Sequence, residues 1–186
     1  MILDKLDHDE RVDILDENGK FTGKSCLKSK AHRKGLYHPT VHVWCYSNDG
    51  LVLLQRRGRS KKNFPLKWDI SVAGHVGAGE SLEKAAVREV REEIGLKIST
   101  LELEKIAVFK TKHKHSETFL DHEYNHTYLC KLDATTKLQK QESEVEELKW
   151  FSIEQFKEWV HQKNPDLVPN SNERYEKVIL EIESRI

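Results

Sequence analysis

The sequence predicts an α/β fold, a mixed sheet flanked by helices, and three observations carry that prediction. Strand-like segments, apolar and alternating or β-branched, recur on both sides of one strongly amphipathic segment at residues 82–94. Two more amphipathic segments close the chain. Tight-turn signals separate the strands. With 186 residues, the chain is read as one domain over residues 1–186, large enough to bury a proper core.

The elements follow in order. Residues 10–16 and 20–24 read as two short strands joined at Asn18-Gly19, a strong tight-turn signal. Residues 26–34 read as a short helix stopped at Gly35. Residues 40–47 (TVHVWCYS) and 51–56 (LVLLQR) are strands, with Asn48-Asp49-Gly50 turning between them. Residues 68–72 form another strand that feeds a glycine-rich loop. A helix of about 13 residues follows, with Ser81 as N-cap and Gly95 as stop. Residues 101–112 and 123–132 alternate as a long antiparallel pair, and residues 145–151 are a further strand. Residues 152–163 start at a capping serine and carry Ile153, Phe156, Trp159 and Val160 at helical spacing. Residues 170–186 form a second amphipathic helix with the stripe Tyr175, Val178, Ile179 and Ile182.

Basic and acidic residues balance at 31 each. That balance argues against a general nucleic-acid or membrane-surface binder. Cys26, Cys45 and Cys130 are an odd number without paired spacing, as expected of reduced thiols in a cytoplasmic protein. The acidic start, MILDKLDHDERVD, lacks the apolar stretch of a signal peptide. No apolar run approaches the ~20 residues that span a bilayer. The expected partner is a small molecule, and a homodimer stays open.

The chemistry concentrates in GHVGAGESLEKAAVREVREEIGL, residues 74–96. At roughly 100° per residue, Glu89, Glu92 and Glu93 share one helix edge. Ala86, Val87, Val90 and Ile94 share another, predicted to face a core. Three carboxylates on one edge repel each other by a few tenths of a kcal/mol per pair. A hard divalent cation removes that repulsion and suits an oxygen-only ligand set. Upstream, residues 56–67 (RRGRSKKNFPLK) hold six basic residues and no acidic one. Arg56, Arg57 and Lys61 are candidate phosphate contacts, with a solubilising loop as the alternative, and His75 is a further candidate substrate contact. His113 and His115, in KTKHKHSETF, read as a substrate lid or as a flexible polar loop.

The spacing of Gly74, Glu80, Arg88-Glu89, Val90, Glu92-Glu93 and Gly95-Leu96 resembles the Nudix box, G-x5-E-x7-R-E-U-x-E-E-x-G-U with U aliphatic, at all nine constrained positions. The resemblance implies an α/β/α sandwich and hydrolysis of a diphosphate with divalent metal, Mg²⁺ or Mn²⁺. It implies Glu92 and Glu93 as principal metal ligands and Glu89 as a further ligand or a base. Glu80 and Arg88 would orient loop and helix, and the backbone carbonyl of Ala73 would be another ligand. Gly74, Gly77 and Gly79 would let backbone approach metal and phosphate closely. A general base from outside the helix is expected, with Glu123, Glu144 and Glu147 as candidates.

Residues 12–96 also resemble type I isopentenyl-diphosphate isomerases, and more strongly the Nudix hydrolases described as isomerase-like. That resemblance puts His32, His38, His75, Asp121 and Glu123 where the isomerase holds its metal. The isomerase has a catalytic cysteine just before the Gly-His pair, and here that position is Ala73. Alanine can neither give nor take the proton that allylic isomerisation requires. Isomerases also carry a degenerate box, whereas this one is complete. The expectation is therefore a diphosphate hydrolase. An isomerase and a non-catalytic nucleotide-binding regulator are the alternatives.

Overall fold

The computed structural model describes residues 9–169 and 172–186. A hairpin, β1 (Arg11–Leu15) and β2 (Phe21–Leu27), opens the chain. α1 (Lys28–Lys34), β3 (His38–Tyr46) and β4 (Leu51–Arg57) follow. Then come β5 (Trp68–Asp69), β6 (Val72–His75) and α2 (Leu82–Ile94). A short 3₁₀ turn, Thr100–Glu102, leads to β7 (Leu103–Ser116) and β8 (Phe119–Lys131). β9 (Val145–Ser152), α3 (Ile153–His161) and α4 (Asn172–Glu183) complete the described elements.

β3 to β9 form one seven-stranded sheet with the path β5-β4-β3-β8-β7; β6 pairs with β3, and β9 with β4. β3 and β8 run parallel and the other pairs antiparallel, so the sheet is mixed. Every residue of β3 is buried because both faces are covered. Val41, Val43, Cys45 and Leu53 pack under α2. Trp44, Tyr46, Val52 and Leu54 pack under α3 and α4 with Phe156, Tyr175, Val178 and Ile182. The strand period of two thus builds two cores from the same strands.

Several boundaries differ from the sequence reading. β2 runs on to Leu27, so the first helix starts at Lys28 instead of residue 26. The strand expected at 68–72 is two pieces: β5 pairs with β4, and β6 crosses to β3. The chain turns at Ser71, whose buried hydroxyl donates to Leu53 O at 2.6 Å and accepts from Cys45 N at 2.8 Å. Residues 113–122, read as a loop or lid, are mostly ladder: His113 pairs with Asp121 and Lys112 with His122, leaving a turn at Glu117-Thr118. On the central helix Ala85 is buried and Val87 only half-buried, and Glu93 joins the buried inward face. The predicted caps are present. Ser81 and Ser152 accept from Lys84 N and Gln155 N, and Gly95 is left-handed at φ 74°. Positions 170 and 171 of the last expected helix lie outside the described residues. Among the described residues, no helix is long and apolar enough to cross a membrane.

Candidate active site on two faces of one strand

β6 carries Ala73, Gly74 and His75 through the middle of the site. On one side stands α2. Glu93 is only 3% exposed, and its Oε2 accepts from Gln55 Nε2 at 2.8 Å and Ala73 N at 3.2 Å. Glu89 lies across Gly74, where a Cβ would stand 2.0 Å from Glu89 Cδ. The glycine is needed for that close approach. Arg88 ties the group together. It donates to both Glu80 oxygens at 3.0 and 2.9 Å, to Glu89 Oε1 at 2.6 Å and to His75 O at 2.9 Å. Glu80 Oε2 also accepts from Gly77 N at 3.1 Å, which fixes the glycine loop. The opening hairpin supports that loop from outside, through Ala78 N to Arg11 O and Gly79 N to Asp13 Oδ2.

Burial pushes the Glu93 carboxyl up to about 8, helped by repulsion from Glu89 and opposed by Lys61 and Ala73 N–H. Burial likewise raises Glu89 to about 7, against the pull of Arg88. Burial would raise Glu80 too, but hydrogen bonds from Arg88 and Gly77 outweigh it and hold it low. The Glu93 and Glu89 carboxyls are thus poised to exchange protons for a cation.

On the other side are the imidazoles. His32, from α1, His38, at the start of β3, and His75 gather around Glu123 of β8, with one ligand atom from each all within 4.8 Å of one another. Glu123 Oε1 is 3.8 Å from both His38 Nε2 and His75 Nε2. His32 Nε2 is 3.3 Å from His75 Nε2 and 3.6 Å from Asp121 Oδ1. The other oxygen of Asp121 is held by His115 Nε2 at 2.7 Å. His38 Nδ1 donates to Leu36 O at 2.9 Å, which leaves the Nε2 lone pair facing inward. His38 Nε2 and Asp121 Oδ1 are buried with no hydrogen-bond partner. These two orphaned atoms, in a cluster whose members come from four elements, fit a metal ion. Burial, then the neighbouring His38, lowers the His32 pKa to about 4 and His75 well below its usual value, so both are neutral imidazoles at neutral pH. An imidazole and carboxylate set suits a transition metal such as Zn²⁺, Mn²⁺ or Co²⁺.

The remaining predicted residues are spread around these centres. Arg57 donates to Asp69 Oδ2 at 2.8 Å and Asn63 O at 3.1 Å; Arg56 donates to Leu66 O at 3.0 Å and lies 4.0 Å from Glu147. Both arginines therefore brace the basic loop. Lys61 bonds Glu144 at 2.5 Å and acts on Glu93 and His75 electrostatically, so it faces the site. Phe64 of the same loop packs edge-on against His115.

Sequence reasoning missed Gln55, Asn125, Arg174 and Glu10. Glu10 adds to the negative charge around Glu89, and burial raises its own pKa. Asn125 and Arg174 lack any local signal, because their partners are distant in sequence.

The chain is 34% identical over 166 residues to "Nudix hydrolase 3" of Arabidopsis thaliana, covering 87% of this chain and 22% of that protein. It is 34% identical over 141 residues to an isopentenyl-diphosphate Delta-isomerase of Nocardia farcinica, covering 75% of this chain and 77% of that one. An uncharacterized Nudix hydrolase of Clostridium acetobutylicum is 35% identical over 65% of this chain and 59% of its own. The chain thus spans about a fifth of the plant relative and about three-fifths of the clostridial one. Among solved structures, DR0079 from Deinococcus radiodurans superposes with a TM-score of 0.72 at 24% identity, over 90% of this chain and 98% of that one, a likeness of fold. The NUDIX domain family profile matches residues 36–171, a span holding the complete box, and the chain belongs to that family.

Proposed function

We propose that the chain hydrolyses a phosphoanhydride in a small organic diphosphate, nucleotide-like or otherwise, by attack of water on phosphorus, with Mg²⁺ or Mn²⁺ at the box carboxylates. Glu93 supports this reading most strongly. It is a buried carboxylate whose hydrogen-bond donors, Gln55 and the Ala73 N–H, are neutral, and Glu89 adds a second negative charge beside it. Such a group is costly unless a cation completes it. Glu92, Glu93 and the Ala73 carbonyl are the assigned ligands, with Glu89 as a further ligand. Divalent cations held there would neutralise phosphate charge and make water acidic enough to act as nucleophile. Arg88 and Glu80 keep the loop and the helix edge in register. Lys61 is the cation we assign to substrate phosphate, because it lies close enough to Glu93 and His75 to act on both electrostatically. His75 and Glu123 are assigned to the imidazole centre. That leaves Glu144, close enough to Glu93 to raise its pKa, as the favoured general base.

The imidazole centre and the isomerase relatives favour isomerisation as the second reading. Ala73, which cannot transfer a proton, stands against it. The deciding experiment is phosphate release from a panel of diphosphates with Mg²⁺. Glu93→Gln keeps the shape and removes the charge. It should cost about 10³-fold in turnover, roughly 4 kcal/mol of barrier, with the circular dichroism spectrum unchanged. Undiminished hydrolysis by this variant would rule out the assigned site.

A further inference from the structure

Arg174, on α4, reaches the sheet face that carries the imidazole centre. Its guanidinium donates to Asn125 Oδ1 at 3.0 Å and to His42 Nδ1 at 3.2 Å. Phe109 lies 6.0 Å from it, ring centroid to Cζ. Among the described residues, no carboxylate lies within ion-pair distance of Arg174. A half-buried guanidinium without a direct counter-charge needs a reason.

The next link supplies one. Asn125 is fully buried, and its Nδ2 donates to Thr40 Oγ1 at 2.7 Å and to Glu123 Oε2 at 2.8 Å. Guanidinium has donors only, so the asparagine oxygen must face it. Both amide hydrogens are then directed at Thr40 and Glu123. Glu123 Oε2 is occupied by this bond, and Oε1 is the oxygen left facing His38 and His75. The chain of bonds runs from the last helix to the metal-holding carboxylate, over residues far apart in sequence.

We propose that Arg174 is a positioning residue: through Asn125 it fixes the Glu123 carboxylate and so sets the affinity of the three-histidine, one-glutamate centre for a divalent transition metal. The proposal rests on reading that cluster as a metal centre. Outer partners of metal ligands typically change affinity by about 10–100-fold.

Co²⁺ is the probe, titrated into the full metal-free chain and followed by the visible absorption of imidazole-bound cobalt. The parent should show the band, and His38→Ala should abolish it. No band in the parent overturns the metal-centre reading itself. Arg174→Met should bind Co²⁺ about 10–100-fold more weakly, with the circular dichroism spectrum of the metal-free form unchanged. Arg174→Lys offers one ammonium in place of the fork and should fall in between; it carries the test should the methionine variant not fold. Asn125→Leu should match Arg174→Met, and the double variant should be no worse than Asn125→Leu alone. Parent-like Co²⁺ affinity in both Arg174 variants, or fully additive losses in the double variant, would overturn the positioning role while leaving the centre intact.

Discussion

Gly74 shows how a single missing side chain organises the chemistry. Glu89 occupies the space a Cβ would need, but the obstructed atoms are the end of a flexible side chain. Gly74→Ala should therefore fold and displace Glu89, with turnover falling about 10²-fold or more, roughly 3 kcal/mol. Parent-like kinetics for this variant would show that the placement of Glu89 is dispensable. His126 makes a different contribution. Burial first, then Lys105, lowers its pKa to about 4, and Glu83 opposes the shift only in part. The unfolded chain takes up this proton near pH 6.5 and the folded chain only near 4. Stability is lost as pH falls through that window. His126→Leu removes the titration, so its urea midpoint should drop less than the parent's between about pH 7 and about pH 5. Equal drops in the two proteins would refute the assignment.

Among the elements, the basic loop between β4 and β5 repays attention because its arginines turn inward. Arg57 holds Asp69, which is itself buried, and the loop backbone at Asn63. Arg57→Ala leaves Asp69 unpaired. It should lower stability by about 1.5–3 kcal/mol, read by urea unfolding, with any change in KM smaller than that for Lys61→Ala. If Arg57 contacts substrate phosphate instead, KM and kcat move while the unfolding midpoint stays put. The loop is also closed from the far side, where Gly58 N donates to Glu144 O at 2.7 Å. Substitutions there should disturb the loop and Glu144 together.

For the whole molecule, the fold places two unlike side-chain clusters back to back on three residues of β6. One uses carboxylates on a helix; the other uses imidazoles from three separate segments and one carboxylate. Only the second resembles what the isomerases use, and Ala73 stands where their cysteine would be. Incubation with isopentenyl diphosphate should give no dimethylallyl isomer. Isomer formed at enzyme-like rates would overturn the hydrolase reading.

The sequence by itself determined the box helix, its caps, its three-carboxylate edge and the strand-rich architecture, because those depend on spacings of a few residues. His32, His38, His75, Asp121 and Glu123 could be placed only by resemblance, since no local periodicity joins them. The tertiary structure decided which members of each set act together. It buried Glu93, where Gln55 and the Ala73 N–H satisfy the carboxylate, and left Val87 half-buried. It gave Arg56 and Arg57 partners within their own loop, because Leu66, Asn63 and Asp69 come within hydrogen-bond reach when the loop folds back. It also joined Arg174 to Asn125, 49 positions away. Such contacts form only when the parallel β3–β8 pair and the last helix have packed, and a one-dimensional pattern does not encode that distance.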